Sequence, residues 1–114
     1  MKTNLLIMAA TLFAAFLTAQ APDWDWAVQG GGIYSDYCDD ICLDSTGNSY
    51  VTGSFQATSN FGSLQVTAAG FGPDVLVAKL NSQGDYQWVA TGGSSDYSDY
   101  GHAIARDSAG NLYI

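Results

Sequence analysis

The tetrapeptide Tyr-Ser-Asp-Tyr occurs twice, at residues 34–37 and 97–100, so that Tyr34, Asp36 and Tyr37 return as Tyr97, Asp99 and Tyr100. An aromatic ring stacks on the apolar face of a sugar while a nearby carboxylate accepts its hydroxyl hydrogen bonds, which makes these six residues candidate contacts for a glycan or protein ligand. Asp36, Asp39 and Asp40 offer oxygens of the kind that ligate calcium. They lack the D-x-D-x-D-G run of a dedicated calcium loop, so calcium is a secondary expectation, and no other cofactor is expected. The plainer reading is that these loops simply turn the chain, with tyrosines packing on the next unit; repetition by itself is explained by structure, and this reading is preferred.

Catalytic chemistry finds little purchase. His102 is the single histidine and aligns with Asp39 in the other copy, so the repeat does not require it, and no Ser/His/Asp assembly follows from it. The Gly30–Gly32 run is not followed by Gly-Lys-Ser/Thr, and the second copy keeps Gly92 and Gly93, so a packing or bending role outweighs phosphate binding. Trp26 and Trp88 are repeat equivalents and are expected to fill a sheet-to-sheet interface. No catalytic residue is assigned.

The elements that position these loops come from an internal duplication. Residues 34–51 align with 97–114 without a gap, identical at ten of eighteen positions and offset by 63; Trp-Ala-Val-Gln-Gly-Gly from Trp26 aligns with Trp-Val-Ala-Thr-Gly-Gly from Trp88, offset by 62. One residue is therefore inserted in the Gly/Ser-rich loop between the two patches, within a repeat of about 62 residues. Alternation and turn residues place strands near 40–43, 49–55, 75–80 and 86–91, with "DSTGN" and "NSQGD" as tight hairpin turns. The longer connection, 56–74, contains "SLQVT", which suits a short strand, and the turn-rich "AGFGPD". The expected fold class is all-β: four-stranded antiparallel propeller-type units, one complete and one truncated. The expected organisation is a leader at 1–21, a first repeat at 22–84 and the start of a second, cut short, at 85–114.

Composition agrees. All eleven acidic residues are aspartate, Glu is absent, and helix formers are scarce beside Tyr, Trp, Val, Ile and Thr. With a formal charge of −8, the chain is a poor partner for nucleic acid or an anionic membrane. Residues 1–21 have the form of a Sec-type secretory leader: Lys2, the apolar run "LLIMAATLFAAFL", and "AQA" before the cut. That run falls short of the ~20 residues that span a bilayer, so export with removal is expected and no membrane span in the mature part.

The D-S-x-G-N-x-Y-V-T-G hairpin, the D-x-x-V-A-K-L strand, the N-x-x-G-D turn and the W-x-x-x-G-G strand occur here in that order. Together they resemble the bacterial β-propeller repeat family called SBBP, over nearly all of 26–114. The resemblance implies an exported or cell-surface propeller, commonly within a longer protein, with no shared catalytic residues. It makes the chain an N-terminal fragment whose partners include further propeller blades. The expected function is a non-catalytic binding or structural scaffold for a glycan, protein or cation; the alternative is a propeller hydrolase or lyase whose active site lies in other blades.

Cys38 and Cys42 depart from the pattern, standing where the second copy has Gly101 and Ala105. In an oxidising compartment a disulfide is one reading, although along a straight strand their Cα atoms would sit ~13 Å apart, beyond the ~7 Å a bridge spans. Two small buried thiols are the other.

Overall fold

A computed structural model describes residues 21–114; the expected leader, apart from Ala21, lies outside the described residues. Nine strands follow in order: β1 (Gly30–Gly32), β2 (Tyr37–Leu43), β3 (Ser49–Phe55), β4 (Thr58–Phe61), β5 (Leu64–Thr67), β6 (Asp74–Leu80), β7 (Tyr86–Gly92), β8 (Ala105–Arg106) and β9 (Leu112–Tyr113). The fold is all-β and antiparallel, and among the described residues no helix is long and apolar enough to cross a membrane.

The main sheet has four strands in the order β2-β3-β6-β7, as the alternation predicts. Its inner strand β3 pairs with β6 along its whole length, Ser49 opposite Leu80 through Phe55 opposite Asp74. Side chains on a strand alternate between faces. Asp74, Leu76, Ala78 and Leu80 are accordingly buried on one face of β6, with Val75, Val77 and Lys79 half-buried on the other. Strand β2 starts at Tyr37, earlier than the pattern indicates, because a bulge between Cys38 and Asp40 breaks the period-two alternation at an acidic stretch.

Three turns share one construction. In the first, the Asp44 amide donates to Asn48 O (3.0 Å) and the Gly47 amide donates back to Asp44 O (3.2 Å). The same pair recurs between Asn81 and Asp85 and between Asp107 and Asn111. Each turn needs one residue at positive φ, supplied by Gly47 (83°), Gly84 (86°) and Gly110 (92°). The side chain of the leading residue completes the closure: the Asp44 carboxylate accepts from Thr46 N and Oγ1, from Asn48 N and Nδ2, and from Tyr50 Oη.

These hydrogen bonds favour the ionised carboxylate and make the turns acid-sensitive. The Asn48 and Thr46 side chains hold Asp44 well below the usual carboxylate range. The Asn111 side chain and amide, then the Tyr113 hydroxyl, bring Asp107 down to about 2. A pKa lower in the folded than in the unfolded chain contributes stability above the unfolded value, about 3.9. That contribution is lost as pH falls toward the folded pKa. The Asp107 turn is thus expected to loosen as pH falls from about 4 to about 2, with Asp44 protonating at still lower pH. Side-chain carboxyl NMR titration checks this; an Asp107 midpoint at the ordinary aspartate value would refute the pairing.

A second sheet, ordered β1-β4-β5, lies outside the expected strand set except for β5, which falls within "SLQVT". Strand β4 is polar (Thr-Ser-Asn-Phe), so its sequence carries no apolar alternation to reveal it. The glycine run does more than bend: as β1 it pairs with β4, Gly30 opposite Phe61. A Cβ at Gly30 would sit 2.5 Å from Phe61 Cδ1 and from Tyr86 Oη, so glycine is what lets this backbone lie on two rings. Between the sheets lies the core, Phe55, Phe61, Ala68 and Leu76, with Val66, Tyr86 and Val89 packed on it. Phe61 and Tyr86 meet edge to face at 5.6 Å.

Candidate ligand-binding loops

The two Tyr-Ser-Asp-Tyr loops are built around their aspartates. Asp36 Oδ2 accepts the Gly32 amide at 2.7 Å, while Oδ1 accepts Ser59 Oγ at 3.1 Å and the Gln56 amide at 3.3 Å. Asp99 Oδ2 accepts the Ser94 amide at 3.0 Å, and the Asp99 amide donates to Pro73 O at 2.8 Å. The clamp therefore closes over four residues in the first loop and five in the second. The single inserted residue of the duplication is absorbed at this point without changing the capping partner, a main-chain amide at the loop's start.

With the carboxylates occupied in holding the chain, the tyrosines are left outside. Tyr34, Tyr37, Tyr97 and Tyr100 are 56%, 60%, 77% and 50% exposed on this chain. Tyr100 is stacked on the His102 imidazole, 5.9 Å between centroids and 11° from parallel. The first pair is split: Tyr34 borders a shallow hollow with Gln56, Thr58 and Phe71, whereas Tyr37 borders a cavity of about 390 Å³ with Trp26, Val28, Ile41 and Val51.

The calcium set does not converge. Asp36 is turned into its own loop, and Asp39 lies 3.8 Å from His102 Nδ1 at the surface. Asp40 accepts the Ile104 amide at 2.8 Å and the Ile41 amide at 2.9 Å, bonds that lower its pKa in that order. Among the described residues no three His, Cys, Asp or Glu side chains are grouped to hold a metal ion.

Cys38 and Cys42 are free thiols, with no bond between them. One strand carries both, and the bulge between them does not fold it back. Burial of both is corrected as well: Cys38 is exposed and Cys42 only partly covered. The reason lies in the face each copy turns to the main sheet. In the second copy Gly101 is buried, its amide donating to Gly53 O at 3.2 Å, and an added Cβ there would collide with Thr52 Oγ1. Cys38 has no such neighbour.

Sequence reasoning missed Ser59 and Gln56, the partners of Asp36, and Asp74. Asp74 is only 3% exposed, and its Oδ2 accepts the Ala69 amide at 2.7 Å. Its signal is an aspartate opening an otherwise apolar strand, a position where a carboxylate ties down the incoming loop.

The second copy docks on the main sheet through main-chain and cationic contacts. Besides Asp40 to Ile104 and Gly53 to Gly101, the Arg106 guanidinium lies over the Tyr50 ring at 5.7 Å, and Ile104 is buried. No curated protein and no solved structure shows significant similarity to the chain. Residues 87–114 match the SBBP family, Beta-propeller repeat, a match that begins inside β7 and runs through β8 and β9. The second copy is thus similar to the SBBP β-propeller repeat over residues 87–114, within a chain that has two copies of one sequence and a four-stranded antiparallel sheet.

Proposed function

We propose that the chain is an exported or cell-surface propeller scaffold, non-catalytic, that binds a glycan through its tyrosine loops. The observation that carries this reading is the repeated clamp. Asp36 and Asp99 fix each loop from within, leaving Tyr34, Tyr37, Tyr97 and Tyr100 exposed on rigid backbone, where rings stack on sugar with little ordering cost. Export is supported by the leader pattern of residues 1–21, and N-terminal sequencing of the protein recovered outside the cytoplasm tests it.

Binding is tested by affinity electrophoresis through a panel of neutral and acidic polysaccharides. The full chain is expected to be retarded by at least one of them, and replacing the four tyrosines by alanine is expected to abolish the retardation with the thermal melt unchanged. Equal retardation of both proteins, or none with any polysaccharide, would remove the glycan reading.

A further inference from the structure

The loop between β5 and β6, residues 68–73, lies between the two tyrosine loops and touches both. On one side Tyr34 and Phe71 line a single hollow. On the other the backbone is laid against the second loop: a Cβ at Gly70 would collide with Ser95 O, and one at Gly72 would sit 2.9 Å from Ser98 Oγ and 3.2 Å from Tyr97 O. The Asp99 amide, donating to Pro73 O at 2.8 Å, ties the two loops together. Glycine at 70 and 72 permits this approach and leaves Phe71 between them at 96% exposure. A ring so bare, on a loop pinned from both sides, contributes nothing to the core.

The wall of the hollow is fixed by the first clamp. Asp36 Oδ1 accepts the Gln56 amide as well as Ser59 Oγ, so the carboxylate that closes the Tyr34 loop also holds the segment from Gln56 to Ser59. Gln56 Nε2 donates to Phe71 O at 2.8 Å and ties the Phe71 backbone to the same wall. Between Gln56 and Thr58, Ala57 has φ 57°, a left-handed conformation costly for alanine, kept by the Ala68 amide bond to Ala57 O at 2.9 Å. Strain of this kind persists where the surroundings over-determine it, and it collects at binding sites. The Thr58 and Thr67 hydroxyls, 3.0 Å apart, bond each other once and keep a donor and acceptor lone pairs for a ligand.

Charge narrows the ligand. No charged side chain lines the hollow, in a chain with eleven aspartates. Lys79 and Arg106, the only lysine and arginine after residue 2, both lie over the Tyr50 ring, at 5.5 and 5.7 Å, near the start of β3, whereas the hollow opens beyond its end at Phe55. The flanking tyrosine loops instead carry Asp36, Asp96 and Asp99, which repel a uronate or a sulfate.

We propose that Phe71 and the hollow it shares with Tyr34 form the central subsite of a surface for an uncharged polysaccharide chain. Tyr34, Phe71 and Tyr97 are successive stacking platforms, and Gln56, Thr58 and Thr67 bond the sugar hydroxyls. This rests on the glycan reading and narrows it: the ligand is neutral, and it is held along its length, because the three rings stand on adjoining loops rather than in one closed pocket. The hollow, about 520 Å³, falls within the roughly 300–1,000 Å³ of small-ligand sites and opens to solvent, so a chain can run through it.

Affinity electrophoresis of the full chain through hydroxyethylcellulose, soluble starch or galactomannan as neutral probes, and polygalacturonate or alginate as acidic ones, tests this. Retardation is expected with at least one neutral polymer and with neither acidic one. Phe71→Ala is expected to weaken it about tenfold, the loss of one stacking ring, with the thermal melt unchanged, and Phe71→Trp to preserve it. Trp24→Ala, which removes a ring 89% exposed outside the site, is expected to leave it as in the parent. Retardation by an acidic polymer as strong as by the neutral ones, or retardation undiminished in Phe71→Ala, would overturn the proposal while leaving the glycan reading to stand on the four-tyrosine variant. No retardation with any polymer would overturn both.

Discussion

Phe55→Ala is expected to cost about 3–5 kcal/mol of folding stability, the range for truncating a fully buried phenylalanine. Phe55 has 0% exposure and is the largest wholly enclosed side chain among the described residues. It stands at the end of β3, where the main sheet meets the β1-β4-β5 sheet, and packs in the cluster with Phe61, Ala68 and Leu76. Removing the ring loses its transfer free energy and leaves a void that two hydrogen-bonded sheets cannot close around, since neither backbone is free to collapse. Because a small domain is stable by only about 5–15 kcal/mol, the variant is expected to lose a large fraction of its folding stability. Urea unfolding followed by tryptophan fluorescence measures the change. Phe71, 96% exposed, is the control, and its alanine variant is expected to lie within about 0.5 kcal/mol of the parent. A Phe55→Ala midpoint equal to that of Phe71→Ala would show that the two sheets do not share this core.

The second large effect is an asymmetry between equivalent positions. Residue 38 is cysteine and residue 101 glycine, so a homology argument would treat Gly101→Cys and Cys38→Gly as mild in equal measure. The structure separates them. A Cβ at 101 collides with Thr52 Oγ1 and lies 3.1 Å from Gly53 O and Val75 Cγ1, and the Gly101 amide bond to Gly53 holds the backbone against retreat. Overpacking at so confined a place costs about 1–3 kcal/mol. Cys38 is exposed, and its replacement by glycine carries only the strand penalty of about 0.5–1 kcal/mol. Parallel urea titrations decide between the views. Equal destabilisation by the two substitutions would mean that the second copy does not pack on the Thr52 face.

Much of the fold is legible before any coordinates. Strand β3 begins and ends at the residues its alternation indicates, and β6 and β7 each differ from expectation by one residue. All three turns follow from a leading Asp or Asn with glycine three residues on, which specifies a positive-φ position and the carbonyl the glycine amide returns to. These are local signals, written within five or six neighbouring residues. The β1-β4-β5 sheet has none beyond β5: Gly-Gly-Gly carries no side chain to pattern, and Thr-Ser-Asn-Phe is strand through its partners, β5 on one edge and on the other β1, where Gly30 leaves room for Phe61 and Tyr86. The extra residues of β2 were likewise hidden, since a bulge displaces the alternation by one.

The candidate site divides in the same way. Its composition, two Tyr-Ser-Asp-Tyr loops at a fixed offset, is a property of the sequence, and so are the duplication, the acidic charge and the antiparallel strand order. Which side of each residue meets solvent was settled by tertiary contacts. Asp36 turns inward because Ser59 and Gln56, more than a dozen residues away, donate to it. Asp40 is spoken for by an amide 64 residues distant, which is why the three aspartates do not form a cation site. Cys38 and Gly101 are alternatives in an alignment and opposites in space, because one copy lies against a sheet and the other presents its face. Short-range hydrogen bonding and alternation are encoded residue by residue, so the sequence alone determined the inner strands of the main sheet, the turns and the repeat. Burial and partner choice depend on which distant segments arrive at the same place, and only the assembled structure decided those.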